Sequence, residues 1–240
     1  MESFSTDTFF GGRLRIRQHR HGYRFSIDAV LLADFARPRP GDTVLDLGTG
    51  CGVIPMILAC RHPRIRIRGV EIQPELAELA AANVDLNGLS GRVEVVHADM
   101  REVAASPGAG PVDLVVSNPP YRSPHSGRIN PDEQRARARH EISITLPELL
   151  HAAGRLLKNG GRFATIYPPE RLAELLRLMQ RERIEPKRLR TVHSGRSTDA
   201  KLALVEGLKL GRPGVTVHAP LVLYEDGGGY TAEAERILAP

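Results

Sequence analysis

The sequence predicts an α/β fold, a doubly wound and mostly parallel sheet of seven strands with an antiparallel C-terminal hairpin and a short basic N-terminal extension. Three observations carry this. Apolar runs of strand length alternate with helical stretches from Thr43 onward. A glycine turn, Gly48-Thr49-Gly50-Cys51-Gly52, joins the first run directly to a helix. Glu71, Asp99 and Asn118 then fall at the ends of three later runs, where such a sheet gathers its ligand groups.

Taken in order, Leu14 and Ile16 alternate with arginines at period two, which suggests a short strand or hairpin with a charged outer face. Ile27 to Phe35 reads as a helix with Ser26 as its cap, ended by Pro38, Pro40 and Gly41. Strands follow at 43–47, 65–70, 92–97 and 112–117, with helices at 53–61 and 74–86. Asn87-Gly88 closes the second of these helices as a left-handed cap. Residues 105–111, rich in Gly and Pro, form a surface loop. A helix over Leu146–Leu157 ends at Asn159-Gly160-Gly161, and Arg162 to Tyr167 supply the fifth strand. Pro168 and Pro169 open a helix to about Arg183, and strands near 188–194, 200–208 and 215–224 complete the chain. Residues 122–140 lack apolar periodicity and read as a loop beside the pocket, with His140 and Glu141 at a helix start. The division expected is 1–40, a basic strand or hairpin and helix packed on the core, and 41–240, the main domain.

With 240 residues, 41% apolar and 25% charged, the chain has the composition of a soluble globular protein and is long enough for a full core. No apolar run approaches the ~20 residues a membrane helix needs. The start, Met1 to Asp7, lacks a basic region and an apolar stretch, so no secretory signal is expected. Two cysteines, Cys51 and Cys60, cannot build a disulfide framework, which favours a reducing, cytoplasmic compartment. No Cys/His cluster has zinc spacing, so no metal is expected, and His19 and His21 read as surface groups. The net charge of +5 and pI near 9.5 favour an anionic partner. Arginines 13, 15, 17, 20 and 24 form one acid-free run, Arg135, Arg137 and Arg139 a second. Lys187, Arg188 and Arg190, with Arg196 and Lys201 beyond, form a third, and all three are expected around one active-site mouth that meets nucleic acid.

Asn118-Pro119-Pro120-Tyr121 carries the chemistry. Two prolines fix φ and remove two backbone donors, so carbonyls and one amide side chain dominate the local polar groups. The Asn side-chain oxygen and a neighbouring carbonyl can both accept hydrogen bonds from an exocyclic amine, turning its lone pair toward an electrophile. Tyr121 can stack on the ring that bears the amine, worth roughly 1–3 kcal/mol per base. A strand-ending turn with a core tyrosine is the plainer alternative. The glycine spacing, G-x-G-x-G, is neither the G-x-G-x-x-G of dinucleotide sites nor a P-loop. Glu71, roughly 20 residues on, falls where a ribose-binding acid belongs.

Together these residues resemble the class I S-adenosylmethionine-dependent methyltransferases with a Rossmann-like fold, in the amino-methylating branch that carries Asn-Pro-Pro-Tyr. The resemblance covers about Asp42 to Ile166. The segment His21 to Ala33 is similar to that preceding the cofactor loop in tRNA1(Val) adenine-N6 methyltransferases. The resemblance implies that Gly48, Gly50 and Gly52 border the methionine part of S-adenosylmethionine, Glu71 the ribose and Asp99 the adenine. It also implies Tyr23, Phe25, Asp28, Asp46, Ile72 and Met100 as cofactor residues, and Asn118, Pro119 and Tyr121 as the catalytic corner. Arg13, Arg15, Arg17, Arg122, Arg135, Arg137 and Arg139 are the expected contacts to an RNA substrate, most simply a tRNA. The expected reaction is methylation of adenine N6, leaving S-adenosylhomocysteine. Alternatives that share the motif are guanine-N2 methylation of rRNA and glutamine methylation of a protein such as a release factor, and a non-catalytic RNA-binding module ranks last. The release-factor enzymes carry an N-terminal helical domain, whereas only about 40 basic, strand-like residues precede the cofactor loop here.

Overall fold

The computed structural model of the chain describes residues 4–19, 27–106, 110–119 and 144–238. Its central sheet is built outward from β3 (Thr43–Leu47), whose last four residues are all buried. A strand covered on both faces must be apolar throughout, and this one is except at Asp46. β4 (Arg66–Glu71) and β5 (Val93–His97) lie in parallel on one side of β3, β6 (Val112–Ser117) and β7 (Leu157–Tyr167) on the other. Beyond β7 the direction reverses, with β9 (Ala200–Lys209) antiparallel to both β7 and β8 (Ile184–His193). Two-residue strands β10 (Thr216–Val217) and β11 (Leu221–Val222) pair in parallel along the outer edge of β8. The order is β10-β8-β9-β7-β6-β3-β4-β5, a mostly parallel doubly wound sheet with an antiparallel strand at its far end. Among the described residues the sheet has nine strands rather than seven. The single strand expected over 215–224 is two short ones, because Pro220 has no N–H to donate between them.

Helices cover both faces. α1 (Ile27–Ala36), α2 (Val53–Arg61), α3 (Pro74–Leu86) and α7 (Ala232–Leu238) share one apolar cluster with Val44, Ile67, Leu114 and Val116. α5 (Leu146–Leu156) and α6 (Leu172–Arg181) share the other with Leu45, Leu47, Val115 and Phe163, and α4 (Met100–Ala105) packs against α5. Residues adjacent on a strand thus serve opposite cores, as the two-residue period requires. α4 and α7, of six and seven residues, are too short to show helical periodicity and were not expected from the sequence. β7 begins at Leu157, so Asn159-Gly160-Gly161 lies within it and not at a helix end. The pairing of β6 with β7 shifts register between Val112 and Leu114, which accommodates the extra residues.

The basic extension is a hairpin. β1 (Phe4–Phe9) pairs antiparallel with β2 (Leu14–His19) as a separate two-stranded sheet. Leu14, Ile16 and Gln18 point inward, while Arg13, Arg15 and Arg17 are exposed, in line with the predicted alternation. The buried face joins the same cluster as α2 and α1.

Candidate active site

β3 ends in a turn whose glycines all take positive φ: Gly48 at 78°, Gly50 at 57° and Gly52 at 85°. No L side chain adopts these angles readily. At Gly52 a Cβ would also meet the Ala80 Cβ at 3.3 Å, so α2 and α3 approach closely there. The turn is pinned from below, since the Gly48 and Thr49 amides donate to the Val70 carbonyl at 2.9 and 3.0 Å. Space around Gly48 and Gly50 is open to 4 Å, as a turn that receives a ligand requires.

Asp46 lies at the root of this turn, fully buried. The Thr49 hydroxyl donates to its Oδ2 at 2.6 Å, while Oδ1 has no hydrogen-bond partner among the described residues. Burial pushes its carboxyl up to about 7; the Thr49 bond opposes the shift and the charge of Glu71 adds to it. Thr49 was not singled out in the sequence. Its tight seat against Gly69, where a Cβ would stand 2.8 Å from the Thr49 hydroxyl, explains why β4 needs a glycine there. Cys51 is no nucleophile, because burial raises its thiol to about 11 and keeps it protonated.

Glu71 ends β4 and is 5% exposed. Its carboxylate accepts from the Gly50 amide at 2.9 Å and from the Gln73 amide, at the start of α3, at 3.0 Å. One carboxylate therefore ties the glycine turn to a helix N-terminus, whose dipole favours the charge. Lone pairs remain on both oxygens for hydroxyl donors. Next to it, the Ile72 carbonyl lies 3.1 Å from His97 Nε2. Asp99 caps α4: it accepts from the Arg101 amide at 2.8 Å and forms an ion pair with the Arg101 guanidinium, which reaches on to Glu148 at 3.2 Å. That guanidinium holds the Asp99 carboxyl below its ordinary value. Met100 packs partly buried behind it.

Asn118 follows β6, and the register puts it beside the turn. Asp46 pairs with Val116, so Gly48 and Asn118 each follow the end of one of two neighbouring parallel strands. Two buried hydroxyls lock this edge: Ser117 Oγ donates to the Leu47 carbonyl at 2.7 Å, and Thr165 Oγ1 to the Ser117 carbonyl at 2.8 Å. Neither hydroxyl was predicted, since nothing in a strand pattern marks a serine as a rung between strands. Asn118 and Pro119 are half-buried at the rim. Asp28 lies half-buried in the first turn of α1. Tyr23, Phe25, Tyr121, Arg122, Arg135, Arg137 and Arg139 lie outside the described residues, as do the expected loop over 122–140 and the His140-Glu141 helix start.

Arg188 and Arg190 of the third basic run are spent within the fold. Arg188 sits on β8, four strands from β3, and bonds Glu206 at 2.9 Å and the Phe35 carbonyl at 2.7 Å. Arg190 bonds Glu233 at 2.7 Å and Arg196 pairs with Glu225 at 3.2 Å. Arg188 thus answers a buried carboxylate and a helix-end carbonyl four strands from β3, Arg190 is mostly buried against Glu233, and Arg196 forms an exposed surface pair with Glu225. Among the described residues no group of His, Cys, Asp and Glu is arranged to hold a metal ion.

The arrangement fits S-adenosylmethionine on three counts: an open glycine turn, an anchored carboxylate at the next strand end, and a buried acid oxygen without a partner among the described residues. Comparison with known proteins agrees. The family pattern of the methyltransferase small domain matches residues 26–177. A tRNA1(Val) (adenine(37)-N6)-methyltransferase of Porphyromonas gingivalis is 34% identical over 98% of this chain and 94% of its own. Its namesake in Yersinia pestis is 34% identical over 68% of this chain and 65% of its own. Among solved structures, an Agrobacterium tumefaciens protein described as a predicted O-methyltransferase superposes with a TM-score of 0.73, at 25% identity over 88% of this chain and 94% of that one. The Thermus thermophilus 16S rRNA N2 G1207 methyltransferase, solved with AdoMet and guanosine, shares the fold at a TM-score of 0.60 and 19% identity, over 86% of this chain and 50% of that one. Matched by the family pattern over well more than half its length and by a relative over nearly all of it, the chain belongs to the methyltransferase small domain family and is an S-adenosylmethionine-dependent methyltransferase.

Proposed function

We propose that the protein methylates the exocyclic N6 amine of an adenine in tRNA. The observation that carries this reading is the register of β3 against β6, which sets an Asn-Pro acceptor corner one strand from the glycine turn. The end-to-end relationship with proteins named for that reaction supports it. S-adenosylmethionine supplies a methyl group already made electrophilic by its sulfonium. The protein's share is alignment. Gly48, Gly50 and Gly52 let the main chain approach the methionine portion, Glu71 receives the ribose hydroxyls, and Asp99, Ile72 and Met100 flank the adenine. Asp46 stands behind the turn, and Tyr23, Phe25 and Asp28 are the remaining cofactor contacts of this reading.

At the acceptor side, the Asn118 side-chain oxygen and the Pro119 carbonyl accept the two amine hydrogens and hold the nitrogen in line with the methyl group. Such alignment converts binding energy into rate without a strong base, since the amine becomes acidic once alkylated. Tyr121 stacks on the target base, which a tRNA loop presents at low unstacking cost. Arg13, Arg15 and Arg17 on the hairpin, with Arg122, Arg135, Arg137 and Arg139, meet the phosphates. A tRNA substrate places the enzyme in the cytoplasm.

Incubation with methyl-labelled cofactor and separate pools of tRNA, rRNA, DNA and protein tests the assignment. Label in tRNA, recovered as N6-methyladenosine, is the expected result; N2-methylguanosine in rRNA or label in protein alone overturns it. Asn118→Ala is expected to lower kcat by at least about a hundredfold, while the affinity for S-adenosylhomocysteine stays within severalfold. Near-normal turnover by that variant removes Asn118 from the chemistry.

A further inference from the structure

β2 has two edges, and among the described residues only one of them meets a strand. β1 takes the first. Along the second, the main chain of Arg15 and Arg17 faces α3, where two asparagines one turn apart act as a substitute strand. Asn87 accepts the Arg15 amide at 2.9 Å and donates to the Arg15 carbonyl at 2.8 Å. Asn83 does the same for Arg17, at 2.8 and 2.9 Å. The spacing matches because residues i and i+4 of a helix rise about 6 Å, close to the roughly 6.7 Å between alternate residues of a strand.

The two amides differ in their remaining hydrogen. Asn87 donates back to the Asn83 carbonyl of its own helix, at 2.7 Å. Asn83 donates to the Cys51 carbonyl at 3.0 Å, in the Cys51–Gly52 peptide of the glycine turn. Asn83 is 0% exposed, and both its N–H groups and its oxygen are committed. Its orientation is forced by the hairpin, since a flipped amide would set oxygen against the carbonyls of both Arg17 and Cys51. The Cys51 peptide needs such a hold, because the flanking glycines have little conformational preference of their own.

We propose that Asn83 is a positioning residue for the cofactor turn, and that the docked N-terminal hairpin is thereby a working part of the cofactor site. This rests on the reading that the glycine turn holds S-adenosylmethionine. The test is calorimetric binding of S-adenosylhomocysteine to the full chain. Asn83→Asp removes both donors and should weaken binding by about tenfold or more, the cost of one buried carbonyl left unpaired at the site. Asn87→Asp makes the same chemical change one turn away at a half-buried position, without touching Cys51, and should leave affinity within about threefold. Equal effects of the two substitutions, or none from Asn83→Asp, would overturn the proposal. Should Asn83→Asp fail to fold, amide hydrogen exchange on the wild type decides. Added S-adenosylhomocysteine should protect the Arg17 amide more than the Arg15 amide; protection at Gly50 with no change at Arg17 counts against the linkage. A wild-type protein that gives neither heat nor Gly50 protection removes the cofactor reading itself, and the proposal with it.

Discussion

Asp46 carries the largest electrostatic tension among the described residues. Its carboxyl is buried beside Glu71, and one hydroxyl bond from Thr49 does not restore the lost hydration. The folded-state value is raised, from 3.8 to about 7, so the sign is the reverse of a salt-bridged acid. Below 3.8 both folded and unfolded chains hold the proton and no penalty arises. Between 3.8 and about 7 only the folded chain holds it, so this group's contribution to stability falls as pH rises and is fully unfavourable above about 7. Asp46→Asn keeps an acceptor for Thr49 and removes the titration. Melting curves from pH 4 to 8 should therefore show a shallower decline for the variant than for the wild type; parallel curves would mean that Asp46 is ionised in the fold without cost.

At the scale of elements, α5 shows how a short motif reaches across to another helix start. Thr145 caps it: the Glu148 amide donates to the Thr145 hydroxyl, while Glu148 accepts from the Thr145 amide at 2.8 Å, a reciprocal capping box. Glu148 also receives Arg101, which in turn holds Asp99 at the start of α4. One helix start thus steadies the acid assigned to the adenine. Thr145→Ala should cost about 1 kcal/mol, the usual value of a cap, and lower Tm by roughly 2–4 °C for a chain of this size. Scanning calorimetry checks it, and an unchanged Tm would show that Glu148 keeps its place through Arg101 alone. The helix itself was legible from its apolar spacing, with Leu146, Leu149, Leu150 and Ala153 buried on one side. The bridge from Glu148 to Asp99 spans 49 residues of sequence and leaves no local pattern.

For the whole molecule, the heavy use of arginine is partly internal. Arg162 and Arg188 converge on Glu206, which is 6% exposed, and Arg162 also pairs with Asp42 at 3.0 Å. Both guanidinium groups also cap the C-terminal carbonyls of α1, at Phe35, Ala36 and Arg37. This cluster joins α1, β7, β8 and β9 and the entry to β3, so the helix preceding the glycine turn is held by the distal, antiparallel part of the sheet. Glu206→Gln removes the central charge and leaves two half-buried cations facing each other. Urea unfolding should show a loss of about 2–4 kcal/mol, with methylation at low temperature nearly unchanged because the cluster lies away from the turn. A loss under about 0.5 kcal/mol would mean that the α1 carbonyls and Asp42 alone suffice. Arg162 and Arg188 are thereby balanced by Glu206 and Asp42 within the fold and add nothing to the net charge of +5.

The sequence by itself determined the alternation of strands and helices, the glycine turn, and the strand-end placement of Glu71 and Asn118. These depend on local rules: two-residue and 3.6-residue periods, and the restricted φ of glycine and proline. It took the folded chain to show which arginines are internal, that Ser117 and Thr165 rung the strand ends, and that Asn83 joins the hairpin to the turn. Each of those is a bond between residues tens of positions apart, and its partner is set by strand order and register, which no local spacing encodes.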